Sequence, residues 1–346
     1  MLKRTFILFL LIIIVSCGGS DNDRLENKSL NWSSAHFEIG FDIRSIACGD
    51  NGTVIAVGND GGIAKSENGG DAWAPSYRIP GITCDFNGIA YCNGRFIIAG
   101  DNHTIQYSDN DGRSWLQRSS VFTEINYKSV TCNGSNFLLG GETTLTHGSD
   151  KFDNRTALSV NNGASWESYK AGGVIPDNIY IGINHLMFGS GRYYLATDSG
   201  LAGYSSDGKD WRTLPTSVDA VYNFTGMAQG ADNGTKLTLF SAIAKDNTTG
   251  ILVVSYNDNL TEWKNAGLPA TAPVRGVAFG KDLFVVITDK SIYLSDNVTG
   301  NSAGWREGAY PPLTNLTNHT INTVTYCGNA FWIGTNRGQI LRALYR

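Results

Sequence analysis

Proline is scarce in this sequence, with 8 residues, whereas glycine is frequent, with 41. Charged residues make up only 17% of the chain, the net charge is -4, and no block of basic residues occurs. A nucleic-acid-binding protein would carry such a block, so we expect no nucleic-acid partner. No long segment shows a helical period either. Abundant glycine and frequent aromatics favour many short strands joined by tight turns, and we expect a nearly all-β protein.

Motifs for metal ligands and for hydrolytic catalysis are also missing. The sequence has no C-x-x-C pair, and its 5 His are scattered. We therefore expect no metal site and no cofactor. No G-x-S-x-G motif marks a serine nucleophile, and we assign no catalytic residue.

The first residues form the pattern of an export signal. Lys3 and Arg4 precede an unbroken apolar run over residues 6–15, and small residues follow it. About 20 apolar residues are needed to cross a bilayer, so this run is too short for a membrane span. We expect residues 1–16 to be a signal peptide.

The segment Ile14-Val15-Ser16-Cys17 resembles the bacterial lipoprotein signal. The resemblance implies that Cys17 is lipid-modified and becomes the first residue of the mature chain, with the membrane as a partner. Gly18 in place of Asp implies transport to the outer membrane in that family. Residues 17–28 then form a flexible tether, followed by a single domain over 29–346. The alternative is an ordinary cleaved signal that happens to contain a cysteine.

Tryptophan recurs at a nearly constant interval. Seven tryptophans are separated by 41, 42, 51, 45, 52 and 42 residues: Trp32, Trp73, Trp115, Trp166, Trp211, Trp263 and Trp305. A period of this length is typical of repeat architectures. Each unit contains four short apolar segments with turn residues between them, which predicts four antiparallel strands per repeat and hence a β-propeller blade.

Three repeats share the motif Ser-x-Asn-x-Gly-x-x-Trp, here called the box motif. Its residues are Ser66, Asn68, Gly70 and Trp73, then Ser108, Asn110, Gly112 and Trp115, then Ser159, Asn161, Gly163 and Trp166. The motif resembles the Asp-box, or BNR, repeat of sialidases and of many non-enzymatic propellers. It forms a turn in which the Asn or Asp accepts backbone N–H bonds, the Gly adopts a positive φ and the Trp is buried. The resemblance implies the fold and gives little information on function.

The two ends of the domain are complementary half-blades. The last repeat ends where its fourth strand is due, and the segment around Trp32 is a fourth strand without its first three. We expect the N-terminal strand to complete the last blade, which protects edges that would otherwise be exposed. This count gives a seven-bladed propeller. Six or eight blades would require a miscounted degenerate repeat.

Five cysteines remain after Cys17. An odd number leaves at least one thiol unpaired even in an oxidising compartment. Four of the five fall late in equivalent strands, where a small apolar side chain packs well, so we expect buried free thiols for most. The five are Cys48, Cys84, Cys92, Cys132 and Cys327.

The strand order predicts which face carries function. The links between blades and the turns between second and third strands share one face, opposite the box motifs. Two long insertions fall on this box-free face, at 142–156 and 244–250. The polar residue just before each first strand should surround the mouth of the central channel: Arg44, Asn87, Lys128, Asn184, Thr225, Arg275 and Asn322. We call these seven residues the ring.

Two interpretations of the ring are possible. None of its members is acidic and three are cationic, which fits an anionic or carbohydrate ligand. Alternatively, a channel mouth is hydrated and tolerates any polar residue.

Arg78 raises an enzymatic alternative. Arg78-Ile79-Pro80 resembles the Arg-Ile-Pro of sialidases, whose Arg binds the substrate carboxylate. Sialidases have six blades, however, and require two further arginines, an acid/base Asp and a Tyr nucleophile activated by a Glu, which we do not identify here. The alternative interpretation is a turn that orients the next strand.

Three functions follow from these observations. The first is a monomeric, non-enzymatic binding or assembly scaffold on the cell envelope for a protein or carbohydrate ligand. It is similar to BNR-repeat lipoproteins and, more distantly, to photosystem II stability/assembly factors. The second is a sialidase-type glycoside hydrolase. The third is a structural subunit of an envelope assembly machine like the barrel-assembly machinery, whose propeller lacks Asp boxes.

Overall fold

The computed structural model describes residues 30–36, 39–144, 155–176, 181–232, 234–257, 260–269, 271–298, 300–308 and 319–345. Within them, the strands are β1 (Leu30–His36), β2 (Ile43–Cys48), β3 (Val54–Gly58), β4 (Gly62–Ser66), β5 (Tyr77–Arg78), β6 (Phe86–Cys92), β7 (Arg95–Gly100), β8 (Ile105–Ser108), β9 (Leu116–Gln117), β10 (Ile125–Cys132), β11 (Phe137–Thr143), β12 (Arg155–Ser159), β13 (Glu167–Lys170), β14 (Ile183–Gly189), β15 (Arg192–Thr197), β16 (Ala202–Ser205), β17 (Arg212–Leu214), β18 (Tyr222–Asp232), β19 (Thr235–Ala244), β20 (Gly250–Ser255), β21 (Lys264–Asn265), β22 (Val274–Gly280), β23 (Leu283–Thr288), β24 (Ile292–Ser295), β25 (Arg306–Glu307), β26 (Ile321–Cys327), β27 (Ala330–Thr335) and β28 (Ile340–Tyr345). Single 3₁₀ turns occur at Asp50–Gly52, Asn59–Gly61 and Ser302–Gly304.

These strands form seven antiparallel four-stranded sheets, which confirms the predicted seven-bladed propeller. Blades 1 to 6 each use four consecutive strands, from β2–β5 to β22–β25. Blade 7 has the order β1-β28-β27-β26, so the N-terminal strand completes the last blade. Leu30 lies opposite Tyr345 in this pairing.

The core of the protein is divided among the seams between blades. Each seam holds one cluster of buried side chains contributed by both neighbours. Between blades 1 and 2, for example, Ile55 and Val57 pack with Phe96 and Trp115. The middle two strands of a blade are buried on both faces, which explains their continuous apolar sequence.

Each box motif closes a turn between the third and fourth strands of its blade. The Ser66 hydroxyl donates to the Asn68 side-chain oxygen at 2.9 Å and accepts from the Gly70 N–H at 2.9 Å. Asn68 also accepts from the Ala72 N–H at 2.8 Å. The same bonds recur in blades 2 and 3, and Asp207 takes the place of the Asn in blade 4.

The glycine of the box motif lies against the preceding blade. Gly70 has φ 88°, and a Cβ atom there would lie 2.2 Å from the Trp332 ring of blade 7. In the next two copies, such an atom would lie 2.4 Å from Ile55 and 2.8 Å from Ile97. The motif therefore joins blades as well as forming a turn, because only glycine combines a positive φ with this close approach.

The expectation of mostly free thiols was wrong. Cys48 is bonded to Cys327, joining the first strands of blades 1 and 7, and Cys92 is bonded to Cys132, joining those of blades 2 and 3. Only Cys84 is free among the described residues. Its thiol lies 3.1 Å from the Thr104 hydroxyl, and burial raises its pKa, which makes it a poor nucleophile.

Candidate functional site

Each ring residue lies at a β-bulge. In all seven blades the register between the first and second strands shifts at this residue, for example between Ile43 and Ser45 around Arg44. The ring therefore lies inside the first strands, and not just before them as the sequence indicated. A bulge leaves its extra residue outside the ladder and thereby redirects the side chain of the ring residue.

The first strands enclose a central channel of about 770 Å³. Six ring residues line it: Arg44, Asn87, Lys128, Thr225, Arg275 and Asn322. In blade 4, the next residue, His185, lines the channel instead of Asn184. The other end is lined by Phe188, Phe279 and Tyr326. The channel thus has a polar mouth and an aromatic opposite end.

Carboxylates next to the ring neutralise its cations. Arg44 binds Asp85 at 2.6 Å, and Arg275 binds Asp289 at 2.5 Å. Lys128 lies 2.8 Å from Glu142 and 3.6 Å from Asp101. The sequence missed these acidic partners because they lie outside the first strands, Glu142 in the second strand of blade 3 and the others in links and turns. Within the described residues, the three ring cations are therefore paired, and the ring carries less free positive charge than its own sequence implied.

The uncharged ring members connect neighbouring blades. Asn87 donates to the Tyr127 carbonyl at 2.8 Å, and Thr225 donates to the Val274 carbonyl at 2.8 Å. Asn322 donates to the Ile43 carbonyl at 3.3 Å. Each acceptor belongs to the residue just before the ring member of the next blade. These three side chains thus bond backbone groups next to the bulges, which accounts for their polarity structurally.

Further carboxylates lie on the same face. Burial raises the pKa of Asp42, and neighbouring Asp60 and Asp85 raise it further while Arg44 opposes them. Burial likewise raises the pKa of Asp198, against the bonds it accepts from Gly182 and Ser199. The mouth therefore holds carboxylates that take up protons more readily than ordinary ones.

Arg78 does not line the channel. It is the last residue of β5, the outermost strand of blade 1, and its Nε donates to the Asp60 carbonyl at 2.9 Å. Arg78 is absent from the channel lining, whereas Arg44 and Arg275 belong to it. The structure thus does not bring Arg78 together with the ring arginines.

The two predicted insertions begin on the box-free face. Glu142 at the end of β11 pairs with Lys128, while residues 145–154 lie outside the described part of the chain. The second insertion forms a turn in which Asp246 accepts from the Thr248 N–H at 3.0 Å. At its start, the Lys245 N–H donates to the Val221 carbonyl at 2.9 Å, next to the first strand of the blade.

His185 differs from its counterparts. The equivalent positions hold small residues such as Ser45 and Ser129, whose hydroxyls accept from the Ile89 and Leu186 N–H groups of the next blade. Desolvation lowers the pKa of His185 to about 4. The imidazole is therefore neutral at physiological pH.

We predict that His185→Ser makes the protein less acid-sensitive. The unfolded chain takes up a proton at His185 below a pH of about 6.5, whereas the folded protein does so only near pH 4. The neutral His185 therefore contributes to the free energy of unfolding above pH 6.5. This contribution, about 2–3 kcal/mol, is lost as the pH falls towards 4. Urea unfolding between pH 7 and 4.5 checks this. Parallel curves for the two proteins would contradict it.

Cys17 and the tether at 17–28 lie outside the described residues. In the described part of the chain, no helix has the length and apolar character needed to cross a membrane.

The fold and the channel define the chain as a seven-bladed β-propeller with a polar channel mouth opposite its box motifs. The sequence matches no protein-family model and no curated relative. Solved structures share the fold at low identity. "YCF48 bound to D1 peptide" has a TM-score of 0.65 and 12% identity over 90% of this chain and 96% of that chain.

Two further structures are comparable. YCF48 from Cyanidioschyzon merolae has a TM-score of 0.65 and 16% identity over 91% of this chain and 98% of that chain. Catalytically inactive H270A virginiamycin B lyase from Staphylococcus aureus with quinupristin has a TM-score of 0.67 and 12% identity, covering 92% and 99%. Binding proteins and an enzyme thus share this fold, so the fold alone does not assign an activity.

Proposed function

We propose that the protein is an exported propeller, anchored through a lipid on Cys17, that binds a polypeptide at the channel mouth on the box-free face. One observation carries this proposal: bulges in six blades direct polar side chains to one opening, which leads into a channel of about 770 Å³. Convergence of polar groups on a concave surface is typical of a binding site.

The chemistry of the mouth favours a polypeptide over a strongly charged ligand. Its cations are already paired, so it offers a mixture of donors and acceptors with little free charge. A polypeptide backbone supplies both kinds of hydrogen-bonding group. The D1 peptide bound to YCF48 supports the proposal, since that protein has the same fold. A carbohydrate offers similar groups and is the alternative ligand.

Two further observations support export and the repeat class. Two disulfides fit an oxidising compartment, as expected for an exported protein. The same hydrogen bonds recur around Asn68, Asn110 and Asn161, which supports the interpretation of these turns as Asp boxes. These turns lie opposite the mouth and act structurally.

The sialidase alternative gains no support from Arg78. That residue belongs to the outermost strand of blade 1, bonds the Asp60 carbonyl and is absent from the channel lining. We therefore favour a binding scaffold over a hydrolase.

Site-specific photo-crosslinking tests the proposal in the native envelope. A benzophenone amino acid replaces Arg337, an exposed residue in the turn between β27 and β28 on the mouth face. The matched control position is Ala72, which is exposed in a box turn on the opposite face. We expect a protease-sensitive adduct at position 337 and none at 72.

Arg44→Ala/Arg275→Ala should reduce the adduct at position 337 about tenfold or more, because guanidinium donors are lost from the mouth and Asp85 and Asp289 are left there without their paired cations. Equal adducts at the two positions, or an adduct unaffected by the double substitution, would contradict polypeptide binding at the mouth. Hydrolysis of a fluorogenic sialoside, abolished by Arg78→Ala, would establish the enzymatic alternative instead.

A further inference from the structure

The three cations of the ring differ in how many donors remain available. Arg44 uses both terminal nitrogens, one on Asp85 and one on Asn87. Lys128 lies between Glu142 and Asp101. Arg275 donates to Asp289 through Nε. Among the ring cations in the described part of the chain, Arg275 is thus the one whose two terminal nitrogens have no protein acceptor.

Solvent reaches the Arg275 side chain. The side chain is 30% exposed, and none of its nitrogens is among the buried atoms without a partner. The bond from Nε to Asp289 holds the guanidinium plane. An orienting carboxylate reduces the entropy lost when the remaining edge binds a ligand.

Arg275 faces a cavity of about 380 Å³ at the mouth, above blade 7. Its lining is formed by Asp42, Arg44, Arg275, Thr320, Asn322 and Asn336. The Asn336 side-chain oxygen accepts from the Thr320 N–H at 2.8 Å, so its amide group remains a donor. The Asn322 amide group donates to Ile43, so its oxygen remains an acceptor.

We propose that Arg275 binds a carboxylate of the ligand through its two terminal nitrogens, with the Asn336 amide as an additional donor. The proposal rests on the proposed function and specifies the group of the polypeptide that is recognised. The guanidinium edge matches the two oxygens of a carboxylate in parallel hydrogen bonds. A dianion such as phosphate fits less well, because Asp42 and Asp289 already place two carboxylates beside the arginines.

A polypeptide carries carboxylates at its C-terminus and on Asp and Glu side chains. Three probes separate these sources: N-acetylglycylglycine, its C-terminal amide, and N-acetylglutamic acid α-amide. Binding is followed by NMR titration of the arginine Nε–H signals in the full mature protein. The Arg275 signal is assigned by its absence from the Arg275→Lys spectrum.

We expect the probes with a free carboxylate to shift the Arg275 signal saturably and the amide probe to leave it unchanged. Preference for N-acetylglycylglycine would identify a C-terminal carboxylate, and preference for the glutamic acid probe would identify a side chain. Arg275→Lys keeps the charge but loses the paired donors, so binding, followed there by the Asn336 side-chain amide signals, should weaken about tenfold. Arg78→Lys is the matched control on the same face and should bind as the wild type does.

Equal binding of the acid and amide probes, or unchanged binding by Arg275→Lys, would overturn the proposal. Dispersed backbone amide signals show that each variant is folded. The outcomes are separable from the crosslinking test. Carboxylate binding without an adduct at position 337 would reject the polypeptide ligand and retain the Arg275 site. An adduct without carboxylate binding would retain the polypeptide ligand and reject the Arg275 site.

Discussion

Replacing both cysteines of the disulfide between blades 1 and 7, as Cys48→Ala/Cys327→Ala, should lower the free energy of unfolding by about 5 kcal/mol. The bond joins residues separated by 279 positions, so it restricts nearly the whole unfolded chain. It also joins β26 covalently to β2, where blade 7 otherwise meets blade 1 through packing and through β1. Urea denaturation of the oxidised proteins measures the loss.

The second disulfide is the matched control. Cys92 and Cys132 occupy equivalent positions between blades 2 and 3, but their separation is only 40 residues. Loop-closure entropy grows with the logarithm of this separation, so Cys92→Ala/Cys132→Ala should cost about 1–2 kcal/mol less. A larger loss for the second pair would show that local packing, and not ring closure, determines the effect.

Gly70→Ala should destabilise the protein by about 3–4 kcal/mol. A methyl group there would lie 2.2 Å from the fully buried Trp332 ring, which itself packs edge-on against Trp73. Overpacking of this kind costs about 1–3 kcal/mol, and the left-handed backbone adds about 1–2 kcal/mol. Chemical denaturation checks the prediction.

Gly94→Ala separates these two contributions. Gly94 also has a positive φ, of 75°, but no atom lies within 4 Å of the position that its Cβ would occupy. This variant should cost about 1–2 kcal/mol, for the backbone alone. Similar losses for the two variants would mean that Trp332 moves aside without cost.

The fold could be predicted from the sequence because a propeller repeats one local pattern. The spacing from Trp32 to Trp305 set the number of blades, and the half-blades at the two ends set the closure. Both features depend on short-range alternation of strands and turns. The structure confirms the blade count and the pairing of β1 with β28.

The disulfides were missed because they depend on contacts between blades. Cys48 and Cys132 lie four residues after their ring residues, whereas Cys92 and Cys327 lie five residues after theirs. Each disulfide joins a cysteine at the four-residue offset to one at the five-residue offset in the neighbouring blade, with Cα–Cα distances of 5.6 and 6.4 Å. This difference of one residue was the signal of the disulfide pairing in the sequence, but its interpretation requires knowing which strands are adjacent.

The candidate site was predicted in part. The ring positions were recognisable from their place next to an apolar residue of each first strand, and six of them line the channel. The acidic partners of the ring were not recognisable from the sequence. Asp85 and Asp289 come from a link and a turn, and their distance from the ring depends on how the blades pack. A count of the ring charges alone therefore overstated the positive potential of the mouth.

The pairing of Leu30 with Tyr345 also fixes the face of the domain from which a lipid tether would leave it. Both residues lie where the third and fourth strands of blade 7 meet, which is the face of the box turns. A tether over residues 17–28, with a reach of at most about 40 Å, would thus leave the propeller from that face. With the proposed lipid on Cys17, the tether would be attached on the side of the box turns, so that the mouth at the opposite end would stay open to a soluble segment of a partner.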